Sequence, residues 1–218
     1  NGHFRLYLNS RLSNMITPSG ATTKIKGLIL RTTKYSEADL ILTFLSSEGE
    51  KVSAIAKSAL KSKKRFLGGV LEPTHFVEFV LTIPKIEGRL PVIEQAQLIQ
   101  SFDQLRSDYD RLNLALRILE IVSKMAQEGD LHSKELFNLL GNTLKELQTA
   151  PNLEILQLQF FLKLLMQQGV LEPEAWMKSF LSRSMKDNAI LAVEYTKQKN
   201  VLLSYLTWAE EQLKTHFG

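Results

Sequence analysis

The spacing of apolar residues changes once along this chain, near Gln100, and that change divides what the chain can fold into. Before it the step is that of strands. Ile25, Leu28 and Leu30 mark a first strand, Leu40, Leu42 and Phe44 alternate in a second, and Val52, Ala54 and Ala56 in a third. His75–Ile83 and Leu90–Ile99 supply a fourth and a fifth. Alternation directs Phe44, Phe76 and Phe79 inward. The polar runs Ser36–Asp39 and Ser47–Glu50 suit tight turns, and Gly49 can take the positive φ that a hairpin requires.

After Gln100 the step is helical. Ser101 and Gln104 form a capping-box pair ahead of Leu105, Tyr109, Leu112, Leu116 and Leu119, and Gly129 ends that run. Ser133 can cap a second helix through Leu136, Leu140, Leu144 and Leu147. Pro151 fits the first turn of a third, which runs through Ile155, Leu158, Phe161 and Leu165 to Gly169 and is apolar over more than half its circumference, as the centre of a bundle must be. Amphipathic stretches follow over Trp176–Met185 and Val201–His216. The expected fold class is therefore α+β: an N-terminal five-stranded barrel of the oligonucleotide-binding (OB) type over residues 24–100, then an all-α helical domain over 101–218. Residues 1–23 form an N-terminal extension without a clear period, either a loose arm or a helix or strand docked on the front domain.

At 218 residues and 44% hydrophobic content the chain can bury one large core or two modest ones without staples. It has no cysteine, which excludes disulfides, thiolate metal sites and a cysteine nucleophile, and fits a cytoplasmic protein. No apolar run approaches the ~18 residues that span a bilayer, and the N-terminal segment lacks the apolar core of a secretion signal. No membrane role is expected.

Charge is unevenly shared. Up to Gln100 there are 14 Lys and Arg against 8 Asp and Glu; beyond it there are 13 against 15. Within the front half, Lys57, Lys61, Lys63, Lys64 and Arg65 put five cations into nine residues with no acid among them. Such a cluster is either a solvated face or a site for a polyanion, of which a nucleic-acid backbone is the commonest. Arg31, Lys34 and Tyr35 flank the first turn, Lys51 opens the third strand, and Phe66 ends the basic run. Tyr35 and Phe66 stand in polar loops and are candidate platforms for stacked bases.

Catalytic chemistry finds less support. His3, His75, His132 and His216 are far apart, none at metal-ligand spacing, and read as surface or interface residues. Gly68-Gly69 has no Lys-Ser or Lys-Thr after it, so it is a bend or a point of close approach to a phosphate, not a nucleotide-binding loop. No catalytic residue, metal or cofactor is expected. Three function classes are weighed: a DNA-binding protein, an adaptor whose helices take an acidic partner tail, and a nucleotide-dependent enzyme or nuclease.

The string from Lys26 to Phe79 resembles the N-terminal region of the RecO family of bacterial recombination mediators and DNA-repair proteins. The resemblance rests on Gly27–Arg31, the Tyr35–Asp39 turn, Glu50–Val52, the basic loop Ala56–Arg65 and the Leu71–Pro73 re-entry, in that order, with weaker likeness continuing to Gly169. It implies an OB-fold packed on a helical domain, binding of single- and double-stranded DNA, annealing of complementary strands, and no catalytic residue. The implied partners are RecR, single-stranded DNA-binding protein through its acidic tail, and RecA. By position, Arg31, Lys57, Lys61, Lys63, Lys64 and Arg65 would be the DNA contacts, with Lys34 and Tyr35 beside them. Two departures stand out. The four-cysteine zinc module of many relatives would follow Gly169, where this chain has Leu171, Glu172, Pro173 and Trp176, so the expected fold lacks that module. The family's Ala-Lys-Gly is Ala56-Lys57-Ser58 here.

Overall fold

The computed structural model describes residues 22–62, 64–86, 88–126, 134–195 and 198–217. Five strands, β1 (Thr22–Lys34), β2 (Leu40–Ser46), β3 (Lys51–Ala56), β4 (Phe76–Thr82) and β5 (Val92–Gln100), close into a barrel in the order β1-β2-β3-β5-β4. This is the OB-fold. Neighbours are antiparallel except β3 and β5, which meet in parallel at Ile55 and Val92. Gly49 takes φ 90° in the β2–β3 turn, as expected, and its N–H reaches the Ser46 carbonyl at 2.9 Å.

One long strand makes closure possible. Gly27 and Leu28 pair with Ser46 and Leu45 of β2 on one side and with Val77 and Phe76 of β4 on the other. A register shift between Ile29 and Arg31 bends β1 at this crossing. Phe44 and Phe79 lie fully buried inside, their rings stacked with centroids 4.5 Å apart. Phe76 does not join them. Residues 76 and 79 differ in parity, so a strand that turns Val77, Phe79 and Leu81 inward turns Phe76 out, where its ring meets Phe137 at 5.6 Å.

The chain divides into two compact units; Phe102–Lys124 with Asn138 onward forms the second, and the other described residues the first. Its helices are α1 (Tyr109–Met125), α2 (Lys134–Leu147), α3 (Leu153–Gln167), α4 (Lys178–Ser182), α5 (Asn188–Tyr195) and α6 (Lys199–Phe217), of which α1 and α2 each place one end in the first unit. The first helix starts later than its capping-box signature suggests. Phe102 is buried in a left-handed conformation (φ 53°), Asp103–Ser107 forms only a 3₁₀ turn, and Asp108 is the true cap. Its carboxylate accepts the N–H groups of Asp110 and Arg111 at 3.0 and 3.2 Å, bonds that hold its pKa below the ordinary carboxylate range. The Arg111 guanidinium then donates to the carbonyls of Leu147 (2.6 Å) and Ala150 (3.0 Å), tying the start of α1 to the end of α2.

Pro151 likewise stands outside its helix, two residues before Leu153. Asn152 caps α3 through Oδ1, which accepts the Ile155 N–H at 2.9 Å, because an amide oxygen satisfies a helix-end donor and proline has nothing to offer it. The remainder of α3 is as expected: its residues from Ile155 to Leu165 are buried save Lys163, and Gly169 follows with φ 69°. Helix α6 packs along it.

The stretch Trp176–Met185 is not one helix. It breaks into a 3₁₀ turn, the short α4 and a second 3₁₀ turn, after which α5 is an element that the apolar spacing did not announce. The cause lies on α3. Gln159 Nε2 donates to the carbonyls of Phe180, Arg183 and Ser184, and Lys163 Nζ to that of Leu181 at 2.7 Å, so carbonyls that would continue the helix are held from outside. Burial pulls the Lys163 pKa down. Trp176 stacks on Tyr205 at 3.8 Å, with Trp208 edge-on at 5.9 Å, and this aromatic set anchors the chain after Gly169. The candidate caps Gly129 and Ser133, and His3 and His132, lie outside the described residues.

A Cβ added to Gly27 would stand 2.5 Å from Phe44 Cδ2 and 3.0 Å from the Leu45 carbonyl oxygen. Gly27→Ala is therefore expected to destabilise the protein by about 1–3 kcal/mol through overpacking. Chemical denaturation checks it, and Phe44→Leu in the same chain should recover part of the loss; an unchanged midpoint for Gly27→Ala would show that the ring gives way freely.

Candidate nucleic-acid interface

The connection from β3 to β4 carries the basic loop, and its shape comes from three anchors. Phe66, Val70 and Leu71 enter the barrel core, leaving Lys57, Lys61 and Lys64 exposed. Thr32 Oγ1 donates to the Leu71 carbonyl at 2.7 Å, which fixes the returning chain against β1. The third anchor is Asp39. Its Oδ1 accepts the Ser58 N–H at 2.7 Å, while the Ala38 carbonyl accepts the Leu60 N–H at 3.0 Å. The basic loop is thus tied to the β1–β2 turn, whose own fold comes from the Ser36 hydroxyl accepting the N–H groups of Ala38 and Asp39.

Lys34 and Tyr35 lead into that turn, the Tyr35 N–H donating to the Asp39 carbonyl at 3.0 Å. Both are exposed, Tyr35 at 65%. Arg31 is exposed on the outer face of β1, in register with Thr43 of β2 and, through it, with Ser53 of β3. Lys64 and Arg65 also line a polar groove of about 280 Å³ with Lys24, Gln95 and Gln97; Glu78 lies in the same groove and pairs with Lys24 at 3.6 Å. Lys63 lies outside the described residues.

One expected contact plays another part. Phe66 is no base platform: only 4% exposed, it is the apolar plug that fastens the loop to the barrel, because the loop must bury something to offset its own repulsion. Arg65 is half-buried. Its Nη2 donates to the Lys57 carbonyl at 2.7 Å and its guanidinium carbon stands 5.4 Å from the Phe66 ring centre, so it closes the loop on itself. Lys51 turns to the Ala126 carbonyl at 2.7 Å. His75, expected at a surface, is buried with Nδ1 3.3 Å from the Val70 carbonyl oxygen, and serves the loop's return.

Sequence reasoning missed Asp39 and the conformation of Ser58. Ser58 is left-handed (φ 54°), a backbone state suited to the glycine of the family pattern, and the Asp39 bond holds it there. The Tyr-x-Glu-x-Asp spacing was the available signal. Among the described residues no cluster of three or more His, Asp or Glu could hold a metal ion, and no helix is long and apolar enough to cross a membrane.

An OB barrel with an anchored cationic loop, followed in sequence by a helical unit, defines an OB-fold protein with a candidate polyanion surface. Comparison with known families agrees: the model of the recombination protein O N-terminal domain matches residues 21–102, and that of its C-terminal domain matches 106–171. The chain belongs to the RecO family. Curated relatives include the DNA repair protein RecO of Alkaliphilus metalliredigens, 36% identical over 149 residues (67% of this chain, 58% of that protein), and that of Syntrophus aciditrophicus, 37% identical over 141 residues (65% and 53%). The chain thus spans little more than half the length of these relatives.

Asp39→Ala removes the tie to Ser58. Loss of one charge-assisted hydrogen bond, on the order of 1 kcal/mol, should speed amide exchange at Ser58 severalfold while the barrel strands keep their protection. Hydrogen-exchange mass spectrometry checks this; equal exchange in both proteins would mean that the loop keeps its shape without Asp39.

Proposed function

We propose that this chain is a non-enzymatic recombination mediator in DNA repair, acting in the cytoplasm: it binds single- and double-stranded DNA through the barrel and anneals complementary strands. The observation that carries this reading is the exposed cation set of Lys57, Lys61 and Lys64 on a loop fastened to the turn that bears Lys34 and Tyr35. Arg65 and the exposed Arg31 extend the set, and Lys63 is proposed with them from its place in the basic run of the sequence. Fixed cations displace condensed counterions from a phosphate backbone, and the released ions drive binding without sequence preference. Annealing needs the same chemistry, because two strands approach only when their charges are neutralised. No bond is made or broken by the protein, so the activity requires no catalytic residue, metal or cofactor. In the cell it would help exchange single-stranded DNA-binding protein for RecA, in company with RecR.

A second activity of the same protein is favoured by a pocket in the helical unit. About 190 Å³ in volume, it has a floor of Ile121, Phe161, Leu213 and Phe217 and a rim of Arg117, Lys124 and Lys214. Glu210 accepts from Arg117 at 2.9 Å and from Gln157 at 3.1 Å, bridging α1, α3 and α6, and Glu120 pairs with Lys124 at 3.0 Å. With Arg117 and Lys124 paired to these acids, the apolar lining and Lys214 suit a terminal apolar side chain and one acidic group of a partner tail, such as that of single-stranded DNA-binding protein.

Neutralising about five phosphates gives a log-log salt slope of roughly −4. Reversing Lys61, Lys63 and Lys64 to Glu should flatten that slope towards zero and abolish annealing, as followed by anisotropy of a labelled single strand at several salt concentrations; an unchanged slope would sink the loop as the site. For the pocket, Lys214→Glu should weaken binding of an acidic tail peptide by about fivefold, roughly 1 kcal/mol, in calorimetric titration. Peptide binding indifferent to Lys214 would remove the pocket from this role.

A further inference from the structure

The basic loop carries a feature that charge does not explain. Leu60 and Leu67 are 53% and 71% exposed, on a loop whose other exposed side chains include Lys57, Lys61 and Lys64. A loop held apart by cations gains nothing from showing leucines to water. They stand on the rim of a cleft of about 400 Å³, the scale of small-ligand clefts, with Phe66, Gly68 and Gly69 among its walls. A side chain at Gly68 would meet open space, and Gly69 holds φ +81°, so the wall here is bare backbone that a flat group can approach closely. Glu72 stands over Gly69, its Oε1 3.1 Å from where a Cβ would lie.

We propose that Leu60, Leu67 and the cleft between them form a slot for one unstacked nucleobase of a bound DNA strand. The proposal rests on the DNA-binding reading and adds to it a site for bases beside the site for phosphates. Leu60 follows Ala59, another wall residue, and precedes Lys61; Leu67 follows the core plug Phe66. A strand whose backbone meets Lys61 therefore passes beside Leu60 at the rim of the slot. Apolar side chains, leucine among them, that enter between bases are one means by which proteins unstack them. Unstacking has a use here: an annealing protein must keep single strands from folding on themselves while leaving most base edges free to meet a complement. One base drawn aside per binding site achieves that without reading sequence.

The test uses the whole chain and a single-stranded oligonucleotide carrying 2-aminopurine, whose fluorescence rises when it unstacks. The wild-type protein is expected to brighten the probe severalfold on binding. Leu60→Ala with Leu67→Ala should weaken binding by about tenfold and abolish the brightening, with salt slope and melting temperature unchanged; Leu67→Met should retain both binding and brightening. Salt-sensitive binding without brightening in the wild type, or brightening that survives the double substitution, would overturn the slot and leave the DNA-binding reading intact. Absence of DNA binding at low salt would overturn both. If the double substitution instead leaves DNA binding untouched and abolishes capture of an acidic peptide, the cleft belongs to a protein partner and the proposal fails.

Discussion

Everything in the front half depends on one contact: the ring of Phe44 lying against the bare backbone of Gly27. Where the ring sits, β1 is paired on both edges, to β2 and to β4, and has no spare width for a side chain. A five-stranded barrel has a narrow interior, so the aromatic pair Phe44 and Phe79 fills its centre only if the strand wrapping it gives up a Cβ. Closure follows from that fit. With the barrel closed, the link between β3 and β4 must pass over one end, and this is why the basic segment lies where it does.

The same link resolves an electrostatic difficulty. Five cations in nine residues repel one another and would open a free loop, yet the folded loop has a definite path. Its apolar half is sunk into the barrel through Phe66, Val70 and Leu71, and its polar half is gripped by Asp39 from the neighbouring turn. Burial of the plug offsets the repulsion, and the repulsion in turn keeps the lysines spread outward. A flexible tail of equal charge would attract a polyanion as well, but would lose much of the gain in ordering itself. An anchored loop has already met that entropic demand during folding.

How much of this was legible in the chain differs by length scale. Alternation identified every strand, and with the long β3–β4 link it led to the OB barrel; the three-four spacing found α1, α2, α3 and α6 because each is long enough for its apolar stripe to repeat. What escaped was set by single atoms reaching across the fold. Alternation could not assign both Phe76 and Phe79 to the core, and parity decides between them. Phe66 sits in a string of lysines and so resembles a surface aromatic, though its burial is what holds that string in place. The division of Trp176–Met185 depends on Gln159 and Lys163, which lie eighteen or more residues before the carbonyls they hold and give no local sign. Asp39 was visible as part of a turn pattern, but its partner Ser58 is nineteen residues away.

The seam between β3 and β5 is, among the described residues, a single parallel pair, Ile55 with Val92, where the Ile55 N–H donates to the Pro91 carbonyl. Every other edge of the barrel is joined by a ladder of at least six pairs. A cylinder closed so unevenly is mechanically a rolled strip with a clasp. β3 runs from that clasp straight into the basic loop. Whatever tightens the loop steadies the clasp, and a polyanion bound across the lysines would stiffen the barrel from its loosest point inward.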